Sequence, residues 1–181
     1  GMAAGVSAHQ NGATVIILEK MPKVGGNTIS AGGAMNAVDE GSETALKNKD
    51  SVALHYKQTY EGGDKKGDEA LVKTLVENAW DSVAWLQSMG MKFLPDPFTV
   101  TGGLWPRAHK PVDPVGTGFF KTYNAYIESN KGIEVRLNVK ADSIILENGK
   151  VTGVIATGKT GNKITVKANK GVVVATGGFG Q

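Results

Sequence analysis

Glu19 closes the apolar run Val15-Ile16-Ile17-Leu18, and Lys20 and the group Gly25-Gly26-Asn27-Thr28 follow it closely. A carboxylate at the end of a buried strand can accept hydrogen bonds from both hydroxyls of a ribose. Paired glycines let backbone N–H groups approach phosphate oxygens without a Cβ in the way. Asn27 and Thr28 add side-chain hydrogen bonds. A third group, Ala175-Thr176-Gly177-Gly178, follows a second apolar run, Val172–Ala175. Small residues there leave room for a nucleotide at the carboxyl end of a strand, where open α/β sheets bind ligands. Gly1 precedes a small-residue helix whose N-terminus can face an anion. The chemistry these residues suit is recognition of a diphosphate and a ribose. Each also has a plainer reading: an exposed strand-end acid, a glycine turn, or a tight strand exit.

Other chemistries find little support. The chain has 181 residues and no cysteine, which removes disulfides, thiolate metal sites and a thiol nucleophile. His9, His55 and His109 lie far apart and show no metal-ligand spacing. Ser7, Ser30 and Ser42 have no nucleophile-elbow context. We assign no catalytic residue. Net charge is +3, yet the basic residues are 18 Lys and only Arg107 and Arg136, dispersed along the chain. That distribution argues against a nucleic-acid face. No uninterrupted apolar run exceeds four residues, so no segment reads as a membrane span. The compartment stays open.

Elements must position these residues. Met2–Gln10 reads as a helix stopped by Asn11-Gly12, and 13–19 as a buried strand. A glycine-rich loop, 20–36, contains Gly32-Gly33. A helix is predicted over 42–60 with Leu46, Val52, Leu54 and Tyr56 inward. A longer helix over 68–89 has Leu71, Leu75, Ala79, Val83 and Leu86 as its core stripe and Gly90 as its stop. Residues 93–115 hold five of six prolines and read as a long irregular segment, of the kind that is functional or poorly ordered. A short helix follows over 118–130. Residues 133–170 read as an antiparallel β-meander, with Asn148-Gly149 and Gly161-Asn162 as turns. Residues 171–181 read as a returning strand and glycine turn. The nucleotide-binding part is 1–132, with a helical portion over 42–90. The charged stretches Lys47–Asp50 and 64–66 read as solvated surface. His9 and His55 read as structural residues, and Trp80, Trp85 and Met89 as core.

Taken as a set, Gly1–Ala8, Val15–Lys20 with Gly25-Gly26-Asn27, Gly32–Ala37, Arg107–Pro111 and Val174–Phe179 resemble a known family. It is the FAD-binding domain of the fumarate reductase and succinate dehydrogenase flavoproteins, nearest the soluble flavocytochrome c type. The resemblance implies an α/β fold of Rossmann-like type: a mainly parallel sheet with flanking helices, plus a small antiparallel meander. It implies FAD as cofactor and a parent that reduces fumarate or a related unsaturated carboxylate, with a dicarboxylate or similar small molecule as partner. Carried over by residue, Gly1 would lie at the phosphate end of the first helix. Glu19 would bind the ribose, with Lys20 beside it. Gly25, Gly26, Asn27 and Thr28 would line the pyrophosphate and ribityl region, and Gly32 and Gly33 would pass the flavin. Ala141 would touch adenine through its backbone, and Thr176, Gly177 and Gly178 would close over the cofactor. His109 could face the substrate side or pack its loop. The family's first strand, its first two fingerprint glycines and its capping domain have no counterpart here, so this chain alone is expected to be inactive. Ketosteroid dehydrogenases, urocanate-type reductases and aspartate oxidases share the fold and remain alternatives. So does a non-catalytic nucleotide-binding fragment that self-associates through unpaired strands.

Overall fold

The computed structural model describes residues 1–178. In chain order the elements are α1 (Met2–Gln10), β1 (Val15–Glu19), a 3₁₀ turn (Gly26–Ser30), β2 (Met35–Asn36), α2 (Glu43–Asn48), α3 (Val52–Gly62), α4 (Glu69–Glu77), α5 (Ala79–Ser88), β3 (Ala108–His109), α6 (Thr117–Glu128), β4 (Ile133–Leu137), β5 (Lys140–Glu147), β6 (Lys150–Thr157) and β7 (Lys163–Lys167). They form two compact units, the first made of 1–26 with the chain from 123 onward, the second of 27–122.

In the first unit β1 pairs in parallel with β4, with Val15 opposite Ile133 and Glu19 opposite Leu137. This corrects the expectation that 133–137 belongs to the meander. Strand-forming residues fix the strand, but only pairing fixes its sheet, and β1 offers the matching edge. The antiparallel sheet is therefore β5-β6-β7. Asn148 and Gly149, with φ of 51° and 75°, make the β5–β6 turn with two left-handed residues, as such a hairpin demands. α1 packs on β1 at Gly5, where a Cβ would come within 2.8 Å of the Ile17 side chain. Val6, Ile133, Val139, Val154 and Ala156 are buried in this unit.

The anticipated strand over 171–175 is not formed: the segment carries no ladder, and Val173 and Val174 are 71% and 64% exposed. A strand needs a partner edge, and no described strand supplies one to this run. Phe179 and Gly180, within the last glycine turn, lie outside the described residues.

In the second unit the helix expected over 42–60 is two helices. Lys49 turns left-handed at φ 51°, and Ser51 caps α3 by accepting from Leu54 N–H. Leu46 points outward, while Ala45 and His55 are the buried residues of the pair. The longer helix also divides, at Asn78, whose side chain donates to the Thr74 carbonyl at 2.8 Å. Leu71 and Leu75 are 69% and 63% exposed, so the core stripe runs instead through Val76, Ala79, Val83 and Leu86. Ala37, Ala79 and Val83 form a buried cluster with Met35, Trp80 and Phe93 against it. Burying side chains such as Val83 and Leu86 contributes about 1.5–3 kcal/mol each. β2 and β3 form a short antiparallel pair, Met35 opposite His109 and Asn36 opposite Ala108. The pair ties the chain just after Gly32-Gly33 to the proline-rich segment.

Candidate functional site

The first unit brings the start of α1 and the end of β1 to one end. The Asn11-Gly12 turn reverses the chain between α1 and β1, so the N-terminus of α1 and the carboxyl end of β1 lie at the same end. Among the described residues no side chain caps α1 and its first turn holds no acid, so the helix dipole at this end favours an anion. Glu19 stands half-buried at the tip of β1, and its Oε1 accepts from the Met21 N–H at 2.8 Å. That bond fixes the carboxylate over its own turn. The Glu19 carbonyl accepts from Val139 N–H, and the Met21 carbonyl from Asn138 N–H. These bonds bring the start of β5, with exposed Ala141, to the same strand end as Glu19. A bulge follows Ala141 in the pairing with β6. Beside it, hydrogen bonds from Thr157 and Lys163 hold the Asp142 carboxyl below its ordinary range. Gly1 lies against the 171–178 segment: a Cβ on it would meet the Ala175 Cβ at 3.9 Å. Thr176, Gly177 and Gly178 follow, all exposed, with Gly177 at φ 101°. Lys20 is exposed after Glu19. Gly25 and Gly26 have φ of 116° and 50°, the conformations that favour glycine.

The second unit carries Asn27, Thr28, Gly32, Gly33 and His109. Asn27, Thr28 and Gly32 are exposed, and nothing lies within 4 Å of a Cβ built on Gly32. Gly33 differs. Its φ is 83°, and a Cβ there would fall on the Val115 carbonyl, so a structural need for glycine exists whatever the ligand. Gly116 similarly approaches the Thr28 carbonyl. His109 is half-buried, its ring 5.3 Å from Trp80 and 6.5 Å from Phe93, centre to centre. Its Nε2 lies 3.2 Å from the Ala37 carbonyl oxygen. Burial pushes its pKa below the ordinary 6.5, against the opposing pull of that carbonyl and of Asp39. These contacts favour loop packing over a ligand-facing role.

Sequence reasoning missed one buried group here. Asp50, read as solvated surface, has a side chain only 3% exposed and pairs with Arg107. A charge run carries no mark of which member turns inward. The one available signal was the Lys49-Asp50-Ser51 break between two helices.

The donor set suits a dinucleotide: a helix N-terminus and glycine backbone for phosphates, and a strand-end carboxylate for ribose hydroxyls. The fold and this end together define an α/β dinucleotide-binding unit. The chain belongs to the FAD binding domain family, whose model matches residues 1–181, and FAD is the cofactor of that family. It is 36% identical over 181 residues to NADH:fumarate oxidoreductase of Klebsiella pneumoniae, covering 99% of this chain and 19% of that protein. It is also 36% identical over 183 residues to fumarate reductase (cytochrome) of Shewanella frigidimarina, covering 100% of this chain and 32% of that protein. The open conformation of a flavocytochrome c3 fumarate reductase superposes with a TM-score of 0.81 at 27% identity, over 92% of this chain and 30% of that one. The chain thus spans about a fifth to a third of the curated relatives it matches. No helix among the described residues is long and apolar enough to cross a membrane.

Proposed function

We propose that this chain supplies the FAD-holding part of a flavin-dependent oxidoreductase that reduces fumarate or a related unsaturated carboxylate. The observation that carries the reading is the Glu19 carboxylate at the carboxyl end of β1, at the same end of the first unit as the start of α1. The α1 N–H groups at Gly1 bind the diphosphate. Glu19 accepts the ribose hydroxyls, held in place by the Met21 N–H, with Lys20 beside it. Gly25 and Gly26 present backbone N–H groups to the pyrophosphate, and Asn27 and Thr28 add side-chain donors. Gly32 and Gly33 border the ring, Ala141 meets the adenine, and Thr176–Gly178 cover the cofactor. His109 packs its loop. Bound FAD supplies hydride transfer at a carbon–carbon double bond. Likeness to the fumarate-reducing relatives supports the substrate class. The exposed Val173-Val174 run, and a β1–β4 pair that takes no third strand among the described residues, also favour self-association, which a concentration-dependent mass in light scattering would reveal.

The test is a titration of the chain with FAD, read by flavin fluorescence quenching and by flavin kept through desalting. Glu19→Ala removes a charged acceptor, and its loss of about 1.5–3 kcal/mol corresponds to roughly ten- to 150-fold weaker binding. Unchanged affinity in Glu19→Ala would remove the ribose assignment. Absent binding to the wild-type chain would sink the view that it holds FAD by itself.

A further inference from the structure

The second unit contains a buried ionic cluster that the proposed cofactor site does not use. Arg107 donates from Nη2 to Asp50 Oδ1 at 2.7 Å and from Nε to Asp50 Oδ2 at 3.1 Å. The pair is bidentate and almost wholly out of water, with side chains 5% and 3% exposed. Desolvation of two charges consumes most of the attraction, so stability alone does not account for such a pair. Its placement does. Asp50 lies in the turn between α2 and α3, and Arg107 immediately precedes β3. The Arg107 N–H donates to the Trp105 carbonyl, and the Arg107 carbonyl accepts from Ala37 N–H, directly after β2. Trp105 Nε1 donates to the Asn48 carbonyl at 3.2 Å. The proline-rich segment is thus fastened to the α2–α3 corner by one ion pair and one indole.

His55 is the fourth residue of α3, and Asp50 directly precedes its Ser51 cap, two positions whose side chains commonly meet at a helix start. It is 7% exposed, and its Nδ1 has no hydrogen-bond partner among the described residues. Burial and the Arg107 cation push its pKa below the ordinary 6.5, while Asp50 opposes them. Arg107 acts on it from the proline-rich segment and Asp50 from the turn before α3, while the Glu40 carboxylate lies at the start of the same helix, accepting from Val52 N–H at 2.7 Å. A protonated His55 would add a second buried cation repelled by the Arg107 guanidinium, with the Asp50 carboxylate drawn to both.

We propose that Asp50 and Arg107 are positioning residues whose ion pair fixes the β2–β3 ladder behind Gly32-Gly33, and that protonation of His55 releases it. Its bearing on FAD rests on the function proposed above; the ladder itself does not. The sign follows from linkage. The released state protonates at the ordinary value and the closed state only lower. Closure is therefore complete above pH 6.5 and is lost progressively as pH falls below it.

Amide hydrogen exchange of the whole chain tests this without FAD, after correction for the intrinsic pH dependence. The reporters are Ala37, Phe98, Ala108 and Val112, whose N–H groups bond to Arg107, Ala108, Phe98 and Lys92 carbonyls. From about pH 7.5 to about pH 5.5 their protection should fall about tenfold, while β5 and β6 amides hold steady. His55→Phe should abolish that pH dependence, and Asp50→Asn should open the ladder at both values. Constant protection in the wild type, or a pH dependence that survives His55→Phe, overturns the proposal. So does an Asp50→Asn ladder that stays closed. If either variant loses protection in the meander too, the wild type decides by NMR. The His55 ring and the Arg107 Nε–H signal must then titrate together, and separate midpoints overturn the coupling.

Discussion

Gly32 and Gly33 are neighbours of the same residue type, yet the structure sets them far apart in tolerance. A methyl group on Gly32 enters open space, and its φ is outside the left-handed region. Gly32→Ala should therefore be neutral or should stabilise the second unit by about 0.4–1 kcal/mol, through the lower entropy of the unfolded chain. Gly33 sits at φ 83°, and its methyl would fall on the Val115 carbonyl. The left-handed backbone costs an L side chain roughly 1–2 kcal/mol. Forcing the Val115–Gly116 backbone aside adds about 1–3 kcal/mol. Gly33→Ala should thus destabilise the unit by about 2–5 kcal/mol. The assay is equilibrium urea unfolding followed by tryptophan emission. All three tryptophans, Trp80, Trp85 and Trp105, lie in the second unit, so the signal reports that unit. Equal stability of the two variants, or a Gly33→Ala protein as stable as the wild type, would refute the close-approach argument. The pair also separates structure from binding. If Gly32 borders the flavin ring, Gly32→Ala should weaken FAD retention while leaving the urea midpoint in place.

Two further outcomes follow from charge and hydrogen bonding. Asp50→Ala leaves the Arg107 guanidinium buried without its partner and should cost about 3–5 kcal/mol in urea unfolding, whereas the apolar double variant Asp50→Leu/Arg107→Met should recover most of that loss; no recovery would mean that the cost lies in packing. Tyr56 donates its hydroxyl to Glu69 at 2.8 Å, which pushes its pKa up to about 12. Ultraviolet absorbance titration should find Tyr56 ionising about there and moving back toward 10 in Glu69→Gln, while Tyr123, raised by burial instead, does not respond to that change. The α3–α4 contact made by this bond is present below pH 10 and lost as pH rises through the raised value.

Several elements were legible from local signals. The run Val15–Leu18 with Glu19 at its end marks β1, although the strand is only half-buried and Ile16 is 41% exposed, against the buried strand expected; Met2–Gln10 ends at its Asn-Gly stop, and Asn148-Gly149 turns the β5–β6 hairpin. Each of these depends on backbone preferences carried within a few residues. The proposed cofactor-binding set rests on signals of the same local kind, glycines and a strand-end acid whose types and spacing suit phosphate and ribose chemistry. The position of His109 was ambiguous in the sequence, since a loop histidine gives no sign of which rings it will meet.

What the sequence determined alone is the kind of residue offered at each strand end and helix start, and with it the membership of a nucleotide-binding family. Tertiary structure decided the rest, because pairing and burial are long-range. Ile133–Leu137 has the composition of any short strand, and only the presence of β1 made it parallel. Val172–Ala175 is as apolar as β1 yet stays outside every described sheet, because apolar residues form a strand only where an edge receives their hydrogen bonds. Leu71 and Leu75 keep helical spacing, but the packed face runs through Val76, Ala79 and Val83 instead. Asp50 shows the same rule for charge. Within Lys47–Asp50 nothing distinguishes it, and it became buried because Arg107, distant in sequence, arrives with a guanidinium fork that fits a carboxylate.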